Sequence, residues 1–180
     1  LAALDPEKPG QWRLWCLLKI TGIQGARIQS ARYLRWSDIT EDAIVWPAQW
    51  MKQGVDFHQP ITAGVRDALE VARRWRERKG YGGPFLFFSA RKNNEEPVYT
   101  YQSAWIALRK AEREAGVEHK PYRAFHWFRR HAAGNAYDLT KDQLAAAEWL
   151  GDKDVKQMRS YLKRRDERLK QVAEKMGEGQ

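Results

Sequence analysis

Two residues that could do chemistry open the segment from His126 to Tyr161, and a third closes it. His126 and Arg129 are three positions apart, so at the start of a helix they lie one turn apart on a shared face. Tyr161 ends the segment among Lys153, Lys156, Arg159, Lys163, Arg164 and Arg165. Cations near a tyrosine lower the cost of its phenolate. A phenolate oxygen is a nucleophile, and a phosphate held by arginines is something it can attack. Taken alone, the same residues read equally well as a helix-face histidine and a half-buried tyrosine. Two more basic residues extend the set: Arg27 in GARIQSARYLRWSDI, and Lys52 eight residues before Pro60. Phosphoryl transfer needs cations around the non-bridging oxygens, an in-line nucleophile and an acid for the leaving oxygen. Two arginines, a lysine, a histidine and a tyrosine supply those roles with no metal and no cofactor.

These residues are far apart in sequence, so the elements between them must bring them together. Asp5-Pro6 reads as a helix start that Pro9-Gly10 interrupts. The first long helix is expected from Gln11, with Trp12, Trp15, Leu18 and Ile20 on its apolar face and Thr21-Gly22 at its end. A second helix is expected from Ala26 to Trp36, with Ile28, Ala31 and Leu34 inward and Arg32 and Arg35 pointing elsewhere. Ala43–Trp46 is a strand candidate. Lys52-Gln53-Gly54 reads as a hairpin tip, and Val55, Phe57 and Gln59 alternate with Asp56 and His58 on the return, which Pro60 stops. Thr62 caps a helix to Lys79, with Val65, Leu69, Ala72 and Trp75 inward. Its basic last turns suit the helix dipole and a solvated face.

Phe85–Phe88 is a short buried extended piece, and 89–97 a polar loop. Thr100 caps a helix through Trp105, Leu108, Ala111 and Ala115 that Gly116 ends. Helices are then expected over 126–137, 141–150 and 154–162. The stretch 164–176 is a charged helical tail with few apolar contacts. Three strand-like pieces among six or more helices give an α+β class that is mostly α, with a small antiparallel sheet at one edge.

Composition narrows the partners. The 180 residues carry a formal charge of +9 and a pI near 9.7, which points to a polyanion. Hydrophobic residues make up 43% and charged residues 31%, a folded rather than disordered composition. No apolar run is long enough to span a membrane, and no secretory pattern is present. The single Cys16 excludes an internal disulfide framework and a cysteine-based zinc cluster, and it fits a reducing cytoplasm. The chain begins at Leu1 and reads as a piece of a longer protein.

In sum of its boxes the sequence resembles the catalytic domain of the tyrosine recombinases, the phage-integrase family. That family's first box reads Gly-Leu-Arg-x-Ser-Glu and leads into Leu-Arg-Trp-x-Asp-Ile. Here Arg27 takes the arginine's place and GARIQSARYLRWSDI continues the box. Ser30 stands where the family usually has an acidic residue that helps hold that arginine. The family lysine lies in a β-hairpin before a proline, matching Lys52 and Pro60. The second box, His-x-x-Arg followed by Arg or His, matches His126, Arg129 and Arg130. The family then has Leu-Gly-His, with its tyrosine nine positions on. Leu150-Gly151-Asp152 and Tyr161 keep that spacing, but Asp152 replaces a His or Trp. The resemblance runs from about Trp12 to Leu169.

The resemblance implies a site-specific recombinase acting on double-stranded DNA. Residues 1–180 would be its catalytic domain, the C-terminal part of a longer protein, and 164–180 an exchange segment. Tyr161 would attack the scissile phosphate to form a 3′-phosphotyrosyl link. Arg27 and Arg129 would stabilise the transition state, Lys52 would protonate the leaving 5′ oxygen, and His126 would hydrogen-bond a non-bridging oxygen or assist proton transfer. A homotetramer on DNA, a monomer without it, and a cytoplasmic, nucleoid-associated protein of bacterial or phage origin go with that reading. Two rivals share the chemistry or the binding: a type IB topoisomerase, and a DNA-binding relic of an integrase. Asp152 and Ser30 are the departures that favour the relic. A carboxylate donates no hydrogen bond to phosphate, so Asp152 is expected to turn away within the helix terminator after Gly151, or to cap the next helix.

Overall fold

Helix α1, Trp12–Ile23, is apolar on nearly every side, and that places it at the centre. Seven of its twelve residues are buried, among them Trp12, Leu14, Leu17 and Ile20. The computed structural model describes residues 3–89, 98–118, 124–152, 155, 156 and 158. Two long helices pack against α1: α3, Ala63–Arg78, and α5, Ala124–Thr140. Thr62 caps α3 as expected, its side chain accepting from the Val65 amide, and Val65, Leu69, Ala72 and Trp75 face inward. The rings of Trp12 and Trp75 stack across the α1–α3 contact with centroids 5.9 Å apart.

α1 does not stop at Thr21-Gly22. The Thr21 hydroxyl donates to the Leu17 carbonyl at 2.8 Å, which satisfies it inside the helix. Gly22 lies within the helix, which continues to Ile23; a Cβ there would meet the Phe128 ring of α5 at 3.6 Å, an ordinary contact.

The helix expected over 26–36 is much shorter. α2 spans only Ile28–Arg32, with Arg27 in extended conformation before it. Beyond Tyr33 the chain pairs with the Phe85 segment: the Leu86 amide donates to Leu34 and the Trp36 amide to Pro84, both at 2.9 Å. Arg32 does not point away. It is buried, and its Nε donates to the Tyr99 carbonyl at 2.7 Å.

Strands β1, Ala43–Trp46, and β2, Phe57–Pro60, form a two-stranded antiparallel sheet with Ala43 opposite Pro60 and Trp46 opposite Phe57. Val55 was expected on the returning strand but lies outside it and is exposed. The Phe85–Phe88 piece contributes isolated bridges to Arg35 and Val98 instead of a third strand.

Helix α4, Tyr101–Glu114, is capped by Thr100 and buries Leu108 and Ala111, while Trp105 is half-buried and Ala115 exposed. Helix α6, Gln143–Trp149, packs on α5 through small residues, Ala132 and Ala133 against Ala146 and Ala147. Among the described residues no helix is long and apolar enough to cross a membrane. The 90–97 part of the polar loop, most of the helix expected over 154–162 and the tail from 164 lie outside the described residues.

Candidate active site

Three chain segments meet where α1 ends, where α6 ends and on the inner face of α5. The first is Gln24 to Arg27. Gly25 takes a left-handed conformation, φ +70°, and a Cβ there would sit 2.1 Å from the Leu150 side chain and 3.2 Å from Ala132. Only glycine allows that turn, which delivers Arg27 to the site in extended conformation.

The second segment is the end of α6. The Gly151 amide donates to Glu148 and the Asp152 amide to Ala147, both at 2.9 Å, with Gly151 at φ +64°. This is the paired hydrogen-bond pattern of a glycine-terminated helix, and it fixes the backbone of Asp152.

The third segment is α5. Arg129 is buried in it at 2% exposure. Its Nη1 donates to the Gly25 carbonyl. Its Nη2 donates to the Leu150 carbonyl at 3.2 Å and to the Asp152 carboxylate at 2.6 Å. One guanidinium thus ties the other two segments together.

Asp152 does not turn away as the sequence suggested. One carboxylate oxygen pairs with Arg27 Nη2 at 2.9 Å and the other with Arg129 Nη2 at 2.6 Å. The carboxylate side chain is 3% exposed, against 31% for Arg27 and 3% for Arg129. The cluster of two cations and one anion keeps a net positive charge.

His126 lies one turn before Arg129 on α5 and is exposed. Partial burial first, and then the guanidiniums of Arg130, Arg129 and Arg27, hold its pKa below the ordinary histidine value; Asp152 opposes them. Its imidazole is therefore neutral at pH 7 and can accept a proton.

Lys52 is exposed in the loop between the strands. Its neighbours anchor that loop beside the arginines: Gln53 donates to the Gly151 carbonyl at 2.7 Å, and Met51 lines a small cavity with Arg27, Ser30, Arg129 and Leu150. Gly54, at φ +67°, makes the turn. Tyr161 lies outside the described residues. Arg27, Arg129 and Asp152 are therefore in direct contact, with His126 at their rim and the Lys52 loop beside them.

Sequence reading missed the residue that joins these pieces. Gln59 is buried on β2. Its carbonyl oxygen accepts from Trp46 Nε1 at 2.8 Å, and its amide donates to the Gln24 carbonyl at 2.8 Å and the Trp149 carbonyl at 2.6 Å. Gln24 answers by donating to the Pro60 carbonyl at 2.8 Å, and Trp149 Nε1 donates to Ile23 at 3.0 Å. A glutamine at an inward strand position was the available signal.

Comparison with known proteins agrees with this architecture. The family model of the phage integrase family matches residues 1–168. The chain belongs to that family. Among solved structures it is similar to XerA recombinase, at 19% identity and TM-score 0.71, over 91% of this chain and 58% of that one. It is also similar to XerH site-specific recombinase bound to difH substrate in a pre-cleavage complex, at 21% identity and TM-score 0.67, over 89% of this chain and 44% of that one. The lambda integrase catalytic core matches at 21% identity and TM-score 0.59, over 78% and 80% of the two chains. The chain spans about half the length of the two Xer recombinases. A search of the curated proteins found no match.

Proposed function

We propose that this chain is the catalytic domain of a site-specific DNA recombinase that cuts and rejoins DNA through a 3′-phosphotyrosyl intermediate. The observation that carries the reading is the meeting of Arg27 and Arg129 on one spot, with His126 and the Lys52 loop around it. Two guanidiniums present planar donors suited to a phosphodiester. The Tyr161 hydroxyl oxygen attacks phosphorus, and the bond to the 5′ oxygen breaks. Neutral His126 assists removal of the tyrosine proton, and Lys52 gives a proton to the departing 5′ oxygen. Arg27 and Arg129 stabilise the charge on the non-bridging oxygens. Rejoining reverses these steps with a 5′-hydroxyl as nucleophile, and the covalent link conserves the bond energy.

The partner is double-stranded DNA, held by a basic surface, and the working assembly is a tetramer of the longer protein on DNA. One observation favours a second reading, a DNA-binding relic: a carboxylate already sits on both arginines. A nicked suicide duplex, from which the cleaved end diffuses away, separates the two. The recombinase accumulates a covalent protein–DNA adduct; a relic binds the duplex and leaves it intact.

A further inference from the structure

We propose that Asp152 is the positioning residue of the arginine pair: its carboxylate holds Arg27 and Arg129 in the arrangement that receives a phosphate. The inference rests on the reading of this site as phosphate-binding. The two oxygens of one carboxylate are fixed relative to each other, and each accepts from a different guanidinium, at 2.9 and 2.6 Å. The arginines are thereby fixed to one another as well as to the fold.

Asp152 is itself held. Its amide donates to Ala147, and the preceding carbonyl, that of Gly151, accepts from Gln53. Charge requires it too. Arg129 has the neutral carbonyls of Gly25 and Leu150 as its other acceptors. Among the described residues Asp152 is the carboxylate paired with either arginine. A buried guanidinium without a counter-charge is costly to hold in place.

Position 30, where the resemblance places an acid, does not compete for this task. Ser30 is buried, lines the same small cavity as the arginines, and donates to the Trp50 carbonyl at 3.2 Å. In this chain the carboxylate that meets both arginines lies at the end of α6, not on α2. Holding, and not blocking, also follows from the donors left over. Arg27 spends only Nη2 on Asp152 among the described residues, and its side chain is 31% exposed. Its remaining N–H groups can take a phosphate oxygen while Asp152 stays bound.

The test compares wild type with Asp152→Asn and Asp152→Ala, each checked for folding by circular dichroism and thermal melting. The first readout is single-turnover cleavage of a suicide duplex at saturating DNA. Both variants are expected to bind the duplex within about twofold of wild type and to cleave it at least about tenfold more slowly. Sodium formate, which restores a carboxylate, should recover at least about threefold in Asp152→Ala, while sodium chloride at equal ionic strength should not. Cleavage by either variant at the wild-type rate or faster overturns the proposal and makes Asp152 a block. A rate loss matched by an equal loss of DNA affinity or of folding also overturns it.

The second readout is the 15N NMR spectrum of the arginine guanidiniums without DNA. The Arg27 and Arg129 signals should lose their exchange protection in Asp152→Ala and regain it with formate; unchanged signals overturn the proposal. Wild type forming no adduct would count against recombinase activity, and the NMR readout would then decide the role of Asp152 by itself.

Discussion

The side-chain amide of Gln59 donates to the Trp149 carbonyl at 2.6 Å, across 90 positions of sequence. With its bond to Gln24, this ties the strand beside the Lys52 loop to the ends of both α1 and α6. Gln59→Ala leaves Trp46 Nε1 and two carbonyls short of partners in a buried place. Each such group costs about 1–3 kcal/mol, so the variant should lose at least about 2 kcal/mol in urea unfolding. DNA cleavage should fall with it, because Arg27 and Asp152 hang from the segments it joins. A variant with wild-type stability would show that water replaces the amide without cost.

The two arginines should separate in their effects. Arg129 is buried and holds three acceptors, one of them charged. Arg129→Ala leaves a buried carboxylate half-compensated and should cost about 3–5 kcal/mol of stability. Arg27 is partly exposed and makes one ion pair, but with the same buried carboxylate, so Arg27→Ala should cost about 1–3 kcal/mol, less than Arg129→Ala. Both should lose cleavage by about 10²–10³, as for a preorganised donor at a developing negative charge. Equal destabilisation by the two substitutions would contradict the picture of one structural and one accessible guanidinium.

How much of this was legible differs from residue to residue. The caps at Thr62 and Thr100, the terminator Gly151 and the hairpin around Lys52 follow from local chemistry, and local chemistry can be read along the chain. His126 and Arg129 are legible from their spacing, one helical turn apart, whereas Arg27 and Asp152 stand out through the resemblance to the phage-integrase boxes. That the basic residues converge is what their shared chemistry requires; that Asp152 joins Arg27 to Arg129 depends on packing between α1, α5 and α6 and is not legible along the chain. Short α2 illustrates the same limit: its helical pattern continues, but pairing with the Phe85 segment takes over after Tyr33. Arg32 was misplaced because a buried arginine needs an acceptor, and that acceptor, the Tyr99 carbonyl, is 67 positions away. The carboxylate of Asp152 was expected to avoid a site built for an anion. What reverses this is a pair of cations, which only the folded chain provides.

Stability should carry the signature of His126. Its pKa in the folded chain lies below the ordinary value near 6.5. Between the folded value and about 6.5 the unfolded chain binds more protons, so stability falls as pH drops through this window. Above about 6.5 both states are neutral and the contribution is flat. His126→Gln should therefore show a smaller decrease in Tm than wild type between pH 7.5 and 5.5. A wild-type protein whose His126 NMR titration lies above 6.5 would reverse the sign and contradict the effect assigned to the three guanidiniums.

The charged tail offers a test of assembly. Residues 166–180 contain few apolar side chains, Leu169, Val172 and Met176 among them. If the segment packs on a neighbouring copy in the DNA-bound tetramer, its deletion should leave circular dichroism and Tm nearly unchanged. Recombination between two sites by the correspondingly deleted full-length protein should fall at least about tenfold. Unimpaired recombination would count against an exchange segment.

The most direct measurement is to trap the adduct on a suicide duplex, digest it and identify by mass spectrometry the residue that carries the nucleotide. The account predicts a phosphotyrosyl link on Tyr161, formed by wild type and abolished in Tyr161→Phe, which keeps the ring and removes only the nucleophilic oxygen. A link on Tyr137, or an adduct that persists in Tyr161→Phe, would contradict it.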